Sequence, residues 1–241
     1  KLNRKFIMEL NVKLFADGAD KVGMLEMYAN PIISGFTTNP TLMKAAGIKD
    51  YKSFALDILS LIKDKSISFE VFSDEFDEMK RQALDIASWS ENIYVKIPIT
   101  NTKAESSVEL INSLSEDGVK INVTAMMTVE QVKSVLPGLS KGPGGYVSVF
   151  AGRIADAGQD PLPVMKETVE ILKDYSHIEL IWASPRELFN VVQADSIGCH
   201  IITATNNILK KLPTLGKDLD QFSLETVQMF YNDATDAGYT L

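Results

Sequence analysis

Short apolar runs alternate with helical stretches along most of the chain. The strand-like runs are VKLFADG (12–18), IISGFTTN (32–39), SISFEVF (66–72), IYVKIPI (93–99), KINVTAM (120–126), YVSVFAG (146–152), IELIWAS (178–184) and HIITAT (200–205). They are too apolar for a sheet wet on one side and suit strands covered on both faces. Between them the apolar positions take a helical spacing. After the fourth run, Val108, Ile111 and Leu114 fall on one helical face, Thr102 and Glu105 read as a capping box, and Gly118 reads as the stop. In the last segment Ser223 reads as the cap. Leu224, Val227, Phe230 or Tyr231, and Ala234 form the stripe, and Gly238 ends it. That stripe needs a cover, either the barrel or a neighbouring subunit.

Eight strands alternating with helices predict an α/β fold of the (β/α)8 TIM-barrel type. The chain reads as one domain over 1–241, with an N-terminal extension (1–11) and a C-terminal helical segment (217–241). The competing architecture is an open doubly wound sheet, which usually carries a glycine-rich phosphate loop after its first strand. Here that turn is ADGADKVG, without GxGxxG. The glycine cluster KGPGGY (141–146) precedes a strand and reads as a turn.

Composition narrows the function classes. A length of 241 residues suits one large barrel, and 45% apolar residues supply a core. The net charge of −8 argues against nucleic acid or an anionic membrane as a general partner. An anionic ligand must therefore be held by a few local cations. The lone cysteine, Cys199, lies in apolar SIGCHIIT and reads as a buried small hydrophobe. That fits a reducing, cytoplasmic setting. No apolar run approaches the roughly 20 residues of a membrane span, and KLNRKFIMEL lacks the apolar core of a secretory signal.

Barrel chemistry collects at the carboxyl ends of the strands. The polar residues near those ends are Asp17, Thr37, Thr38, Asn39, Glu70, Lys96, Asn122, Thr124, Ser148, Arg153, Ser184 and Arg186. Alternation puts Phe15 with Asp17 on one face, Tyr94 with Lys96 and Pro98, and Asn122 with Thr124. Pro98 cannot donate to a ladder, so its strand ends near it and Lys96 lies close to the mouth. A lysine in such a run either pairs with Glu70 or Asp17 as a buried ion, or acts as a Schiff-base amine. A crowded, dry site favours the uncharged, nucleophilic amine. Its iminium with a ketone would withdraw electrons and let an adjacent C–C bond break without a metal. The two histidines, His177 and His200, form neither HxH nor HExxH and read as surface or packing residues.

ADGAD, GFTTNPTLM, SFEVF, YVKIPIT, INVTAMMT, SVFAGRI and WASPREL follow one another in this order. Together they resemble the transaldolase family, including its shorter fructose-6-phosphate aldolase members, over about residues 12–238. The resemblance implies a metal- and cofactor-independent enzyme of carbohydrate metabolism in the pentose phosphate pathway, with sugar phosphates as small-molecule partners and a homo-oligomeric state. It implies Lys96 as the Schiff-base lysine and Glu70 as an acid/base carboxylate acting through a water that Thr124 helps to hold. Asp17 would handle the sugar-hydroxyl proton during C–C cleavage. Thr37, Asn39 and Asn122 would orient the substrate, with Ser148 among the substrate-binding residues. Arg153, Ser184 and Arg186 would bind phosphate, in keeping with guanidinium geometry.

Two positions sort the family. Aldolase-only members tend to carry glutamine where this chain has Glu70 and tyrosine where it has Phe150. Glu70 with Phe150 resembles the transaldolase pattern, because a phenylalanine has no proton with which to release the three-carbon fragment early. Three positions depart from the family. Val149 replaces a proline, Pro185 stands before Arg186, and Gly18 follows Asp17. The alternatives are a fructose-6-phosphate aldolase or a relative acting on another ketose, a non-catalytic sugar-phosphate-binding barrel, and a mainly structural oligomer.

Overall fold

The structure, a computed structural model, describes residues 10–241. Positions 1–9 of the proposed N-terminal extension lie outside them. The unit Asn11–Leu209 is the barrel, and Lys210–Leu241 belongs to a second unit.

Val-, Ile- and Phe-rich runs with both faces buried pair in parallel and close on themselves in sequence order. The strands are β1 (Lys13–Asp17), β2 (Ile33–Thr37), β3 (Ser66–Glu70), β4 (Ile93–Pro98), β5 (Ile121–Met126), β6 (Gly145–Val149), β7 (Ile178–Trp182) and β8 (Ile201–Ala204). β1 pairs with both β2 and β8, so no edge is left. This is the (β/α)8 barrel read from the sequence.

Outward residues such as Phe36, Phe69, Val95, Val123 and Val147 are buried, and the helices of the unit supply apolar faces to match. Inward residues fill the barrel. Its core layer is Phe15, Tyr146, Ile181 and Ile201, with Tyr94 packed against it. Tyr94 stacks on Tyr146 at 4.1 Å between centroids, and the Tyr146 hydroxyl donates to Ser66 Oγ at 3.0 Å. Gly35 pairs with Phe15, and a Cβ there would lie 2.5 Å from the Phe15 ring. The glycine leaves the space that the phenyl ring fills.

Several boundaries differ from the sequence reading. The sixth strand ends at Val149, and Ala151–Asp156 is helical. Thr102 does not cap. Its amide and hydroxyl both donate to Asp74, at 2.7 and 2.6 Å, and the helix begins at Val108 after Ser107. A hydroxyl donating to a carboxylate is not aimed at helix amides. Gly118 takes a positive φ of 83° where the stop was expected. The last helix, Leu219–Asp236, starts ahead of Ser223, because the Asp218 carboxylate accepts from the Gln221 amide at 2.8 Å. Within it Leu224, Val227, Phe230 and Tyr231 are all at least half exposed.

Cys199 is buried, and burial pushes its thiol up to about 12. His200 packs at the amino end of β8, where its Nδ1 accepts from the Leu180 amide at 3.1 Å; His177 is exposed. No helix among the described residues is long and apolar enough to cross a membrane.

The contact between Gly35 and Phe15 is testable. Gly35→Ala should destabilise the barrel by about 1–3 kcal/mol in urea unfolding. Adding Phe15→Leu should recover part of that loss.

Candidate functional site

Alternation along each closed strand sends Asp17, Thr37, Glu70, Lys96, Thr124, Ser148 and Thr203 inward near the carboxyl ends. They meet above the core layer. A cavity of about 540 Å³ opens there, lined by these residues together with Asn39, Phe150, Arg153, Ser184, Pro185 and Arg186. That size suits a small ligand. Ten of the twelve polar residues singled out in the sequence line it, as does Phe150. The other two, Thr38 and Asn122, are fully buried. The Asn122 amide donates to Ser68 Oγ at 3.0 Å and its carbonyl accepts from Ser148 Oγ at 2.7 Å.

Lys96 is only 5% exposed. Its register partner is Glu70, and Lys96 Nζ lies 3.3 Å from Glu70 Oε2. The amine also donates to the Thr38 carbonyl at 2.9 Å. β2 and β4 thus hold the nitrogen from two sides, and β3 presents the carboxylate between them. A buried pair this close satisfies both charges at rest and gives the amine a proton acceptor within one step.

Asp17 faces the same cavity from β1. Burial raises its carboxyl above the usual range, opposed by the Lys96 charge and by the hydrogen bond from Thr37. Thr37 Oγ1 donates to Asp17 Oδ1 at 2.8 Å, and the Thr203 hydroxyl lies 2.5 Å from Thr37 Oγ1. Thr37 has one hydroxyl proton and spends it on Asp17, so Thr203 is the donor in the second bond. The chain fixes the carboxylate on one oxygen and leaves the other toward the cavity.

Two buried hydroxyls in the cavity wall have no partner: Thr124 Oγ1 and Ser184 Oγ. Buried polar atoms without partners in a polar cavity are places where a ligand or water bonds. Both sit next to or at strained backbone. Ala125 has φ 62° where the β5–β6 register shifts, and Ser184 has φ 53°. Each strained residue redirects the chain at the end of its strand.

The mouth carries the cations. Arg153 lies on the short helix Ala151–Asp156, and Arg186 follows Pro185. Arg186 is held by Asp156, with Nε to Oδ1 at 3.0 Å and Nη2 to Oδ2 at 2.5 Å. The guanidinium holds the Asp156 carboxyl below its usual range. Asn39 is the cap of the helix Pro40–Ala45, its Oδ1 accepting from the Leu42 amide at 2.9 Å, which leaves its amide nitrogen for other partners. Among the described residues, no cluster of three His, Cys, Asp or Glu side chains could hold a metal ion.

Sequence reasoning missed Thr203, the Thr38 carbonyl and Asp156. Thr203 was within reach, since it alternates with Ile201 on the last strand. Asp156 lies three residues from Arg153 on the same helix, a spacing that puts both on one side.

The profile of the transaldolase/fructose-6-phosphate aldolase family matches residues 14–241. A probable transaldolase of Dehalococcoides mccartyi is 35% identical over 202 residues, covering 83% of this chain and 90% of that protein. A probable transaldolase of Streptococcus agalactiae is 33% identical over 215 residues, covering 88% and 95%. Among solved structures, the putative copper homeostasis protein CutC of Streptococcus agalactiae aligns with a TM-score of 0.60 at 15% identity, over 80% of this chain and 98% of that one. That likeness is one of fold alone.

The burial of Asp17 sets a direction. Its carboxyl is raised in the folded state, so the native state disfavours the anion and stability falls as pH rises through the window above 3.8. Asp17→Asn keeps the bond from Thr37 and removes that penalty. The variant should be more stable by about 1 kcal/mol at neutral pH. The difference should shrink as pH falls toward 4, read by thermal unfolding across pH.

Proposed function

The chain belongs to the transaldolase/fructose-6-phosphate aldolase family, and on that premise we propose that it transfers a dihydroxyacetone unit between sugar phosphates through a Schiff base on Lys96. The observation that carries this reading is the buried Lys96 amine, 3.3 Å from Glu70, in a cavity rimmed by two arginines.

The uncharged amine attacks the C2 carbonyl of a ketose phosphate such as fructose 6-phosphate or sedoheptulose 7-phosphate. Glu70 and a water held by Thr124 protonate the departing hydroxyl, and water leaves the carbinolamine to give the iminium. The Asp17 carboxylate takes the C4 hydroxyl proton, the C3–C4 bond breaks and its electrons pass into the iminium. The aldose phosphate leaves, and an enamine of three carbons stays on Lys96. A second aldose phosphate accepts that carbon nucleophile, and the steps reverse. Burial makes Asp17 the more basic of ordinary carboxylates, which suits removal of a hydroxyl proton.

Arg153 and Arg186 supply the phosphate end, with Ser184 Oγ as a further donor. Asn122 anchors Ser148 against the wall. Phe150 lines the cavity with a ring that has no proton to give, which supports transfer to an acceptor over early release. The exposed stripe Leu224, Val227, Phe230 and Tyr231 supports a homo-oligomer in which another copy covers it.

Borohydride added with fructose 6-phosphate should trap a covalent adduct, and peptide mass mapping should place it on Lys96. Lys96→Ala should abolish turnover with the fold intact by circular dichroism; normal turnover by that variant would remove the mechanism. Free dihydroxyacetone formed rapidly without an acceptor would make the enzyme a fructose-6-phosphate aldolase instead. Arg186→Ala should raise KM for the phosphorylated ketose roughly tenfold while leaving unphosphorylated fructose unaffected.

A further inference from the structure

β3 loses one of its two strand partners, β2, before it reaches the site. β2 pairs with it at three positions only, ending at Thr37 and Ser68. Beyond that point Thr38 sends both its amide and its hydroxyl to the Ser68 carbonyl, and the chain turns at Asn39 into a helix. Along a parallel strand, successive residues turn their backbone groups to opposite neighbours. Ser68 is bonded on the β2 side and Val71 on the β4 side, where its amide donates to the Lys96 carbonyl at 3.1 Å. The amide and carbonyl of Glu70 therefore face the side that β2 has left.

The hydroxyl of Tyr51 fills that gap. It donates to the Glu70 carbonyl at 2.7 Å and accepts from the Glu70 amide at 2.9 Å. One phenol thus supplies the donor and the acceptor that an absent strand residue would have given. Tyr51 opens the helix Tyr51–Leu61, whose cap Asp50 accepts from the Ser53 amide at 2.9 Å. Its ring packs on Phe72 at 5.2 Å, Phe69 at 6.2 Å and Trp89 at 6.3 Å. Burial raises the phenol above its ordinary range, so it keeps its proton at neutral pH.

We propose that Tyr51 is a positioning residue for Glu70: by bonding both backbone groups at the unpaired end of β3, it fixes the direction of the carboxylate toward Lys96. It touches neither substrate nor the reacting atoms. The inference rests on the Schiff-base reading only for the rate it predicts. Its role is confined to the steps that need Glu70, formation and hydrolysis of the iminium. Phosphate binding by the arginines and C–C cleavage at Asp17 are separate from it.

The test compares Tyr51→Phe with Tyr146→Phe. Each removes one tyrosine hydroxyl, the first with its two bonds to the Glu70 backbone and the second with its bond to Ser66 in the barrel interior. In single-turnover trapping with fructose 6-phosphate and borohydride, Tyr51→Phe should form the Lys96 adduct about tenfold more slowly, with KM changed less than twofold. Tyr146→Phe should trap at the wild-type rate. Labelling of Lys96 by formaldehyde and cyanoborohydride, followed by mass mapping, needs no sugar and should slow in Tyr51→Phe alone. Wild-type rates for Tyr51→Phe, or equal slowing in both variants, would overturn the proposal. If the wild-type protein gives no sugar adduct, the transaldolase reading falls, and the formaldehyde comparison still decides the role of Tyr51.

Discussion

Closing eight parallel strands into a barrel gives every second side chain one direction, inward. The rest of the structure follows from that constraint. Near the amino ends the inward positions hold Phe15, Tyr146, Ile181 and Ile201, which exclude water. Toward the carboxyl ends the inward positions are Asp17, Ser148 and Thr203 on the same strands, with Glu70, Lys96 and Asn122 entering from β3, β4 and β5. The polar layer has a dry floor, so its charges cannot be satisfied from below. They must be paired with one another, as Lys96 is with Glu70 and the Thr38 carbonyl, and Asp17 is with Thr37. The same dryness that makes these charges costly strengthens every interaction among them.

Much of this was legible in the chain. Alternation within each apolar run gave the parity of Lys96, Asp17 and Asn122, and barrel closure turned parity into convergence. Pro98 marked where β4 ends, and Gly118 marked the end of a helix. What escaped was set by partners from elsewhere. Thr102 has the spacing of a cap, yet Asp74, 28 residues away, claims its hydroxyl. The cavity face of Asn39 was readable, but its capping of the helix Pro40–Ala45 divides its amide between two uses. Tyr51 went unnoticed, because nothing local announces that its hydroxyl reaches Glu70, 19 residues on. Asp156 was hidden in the same way. Its partner Arg186 lies 30 residues later, on a loop whose course depends on the strained backbone at Ser184.

A barrel of this kind carries many chemistries, so the fold alone says little about the reaction. The distinguishing information lies in a handful of mouth residues and in what orients them. Those residues come from all eight strands, and most are locked by a hydrogen bond to another strand or the segment just after it. Gly152 shows how tight that arrangement is: a Cβ there would lie 1.5 Å from the Ser184 carbonyl oxygen. The helix bearing Arg153 and the loop bearing Arg186 are in contact through backbone that admits no side chain between them.

The carboxylate of Asp156 alters the field at the entrance. Arg153, Arg186 and Asp156 together carry one net positive charge where two arginines alone would carry two. An arriving dianion meets a weaker pull, and Arg186 offers it the nitrogen edge that Asp156 leaves free. When the anion departs, the guanidinium already has a counter-ion beside it and is not left bare. A rim built in this way favours traffic over retention, which suits the proposed exchange of one sugar phosphate for another.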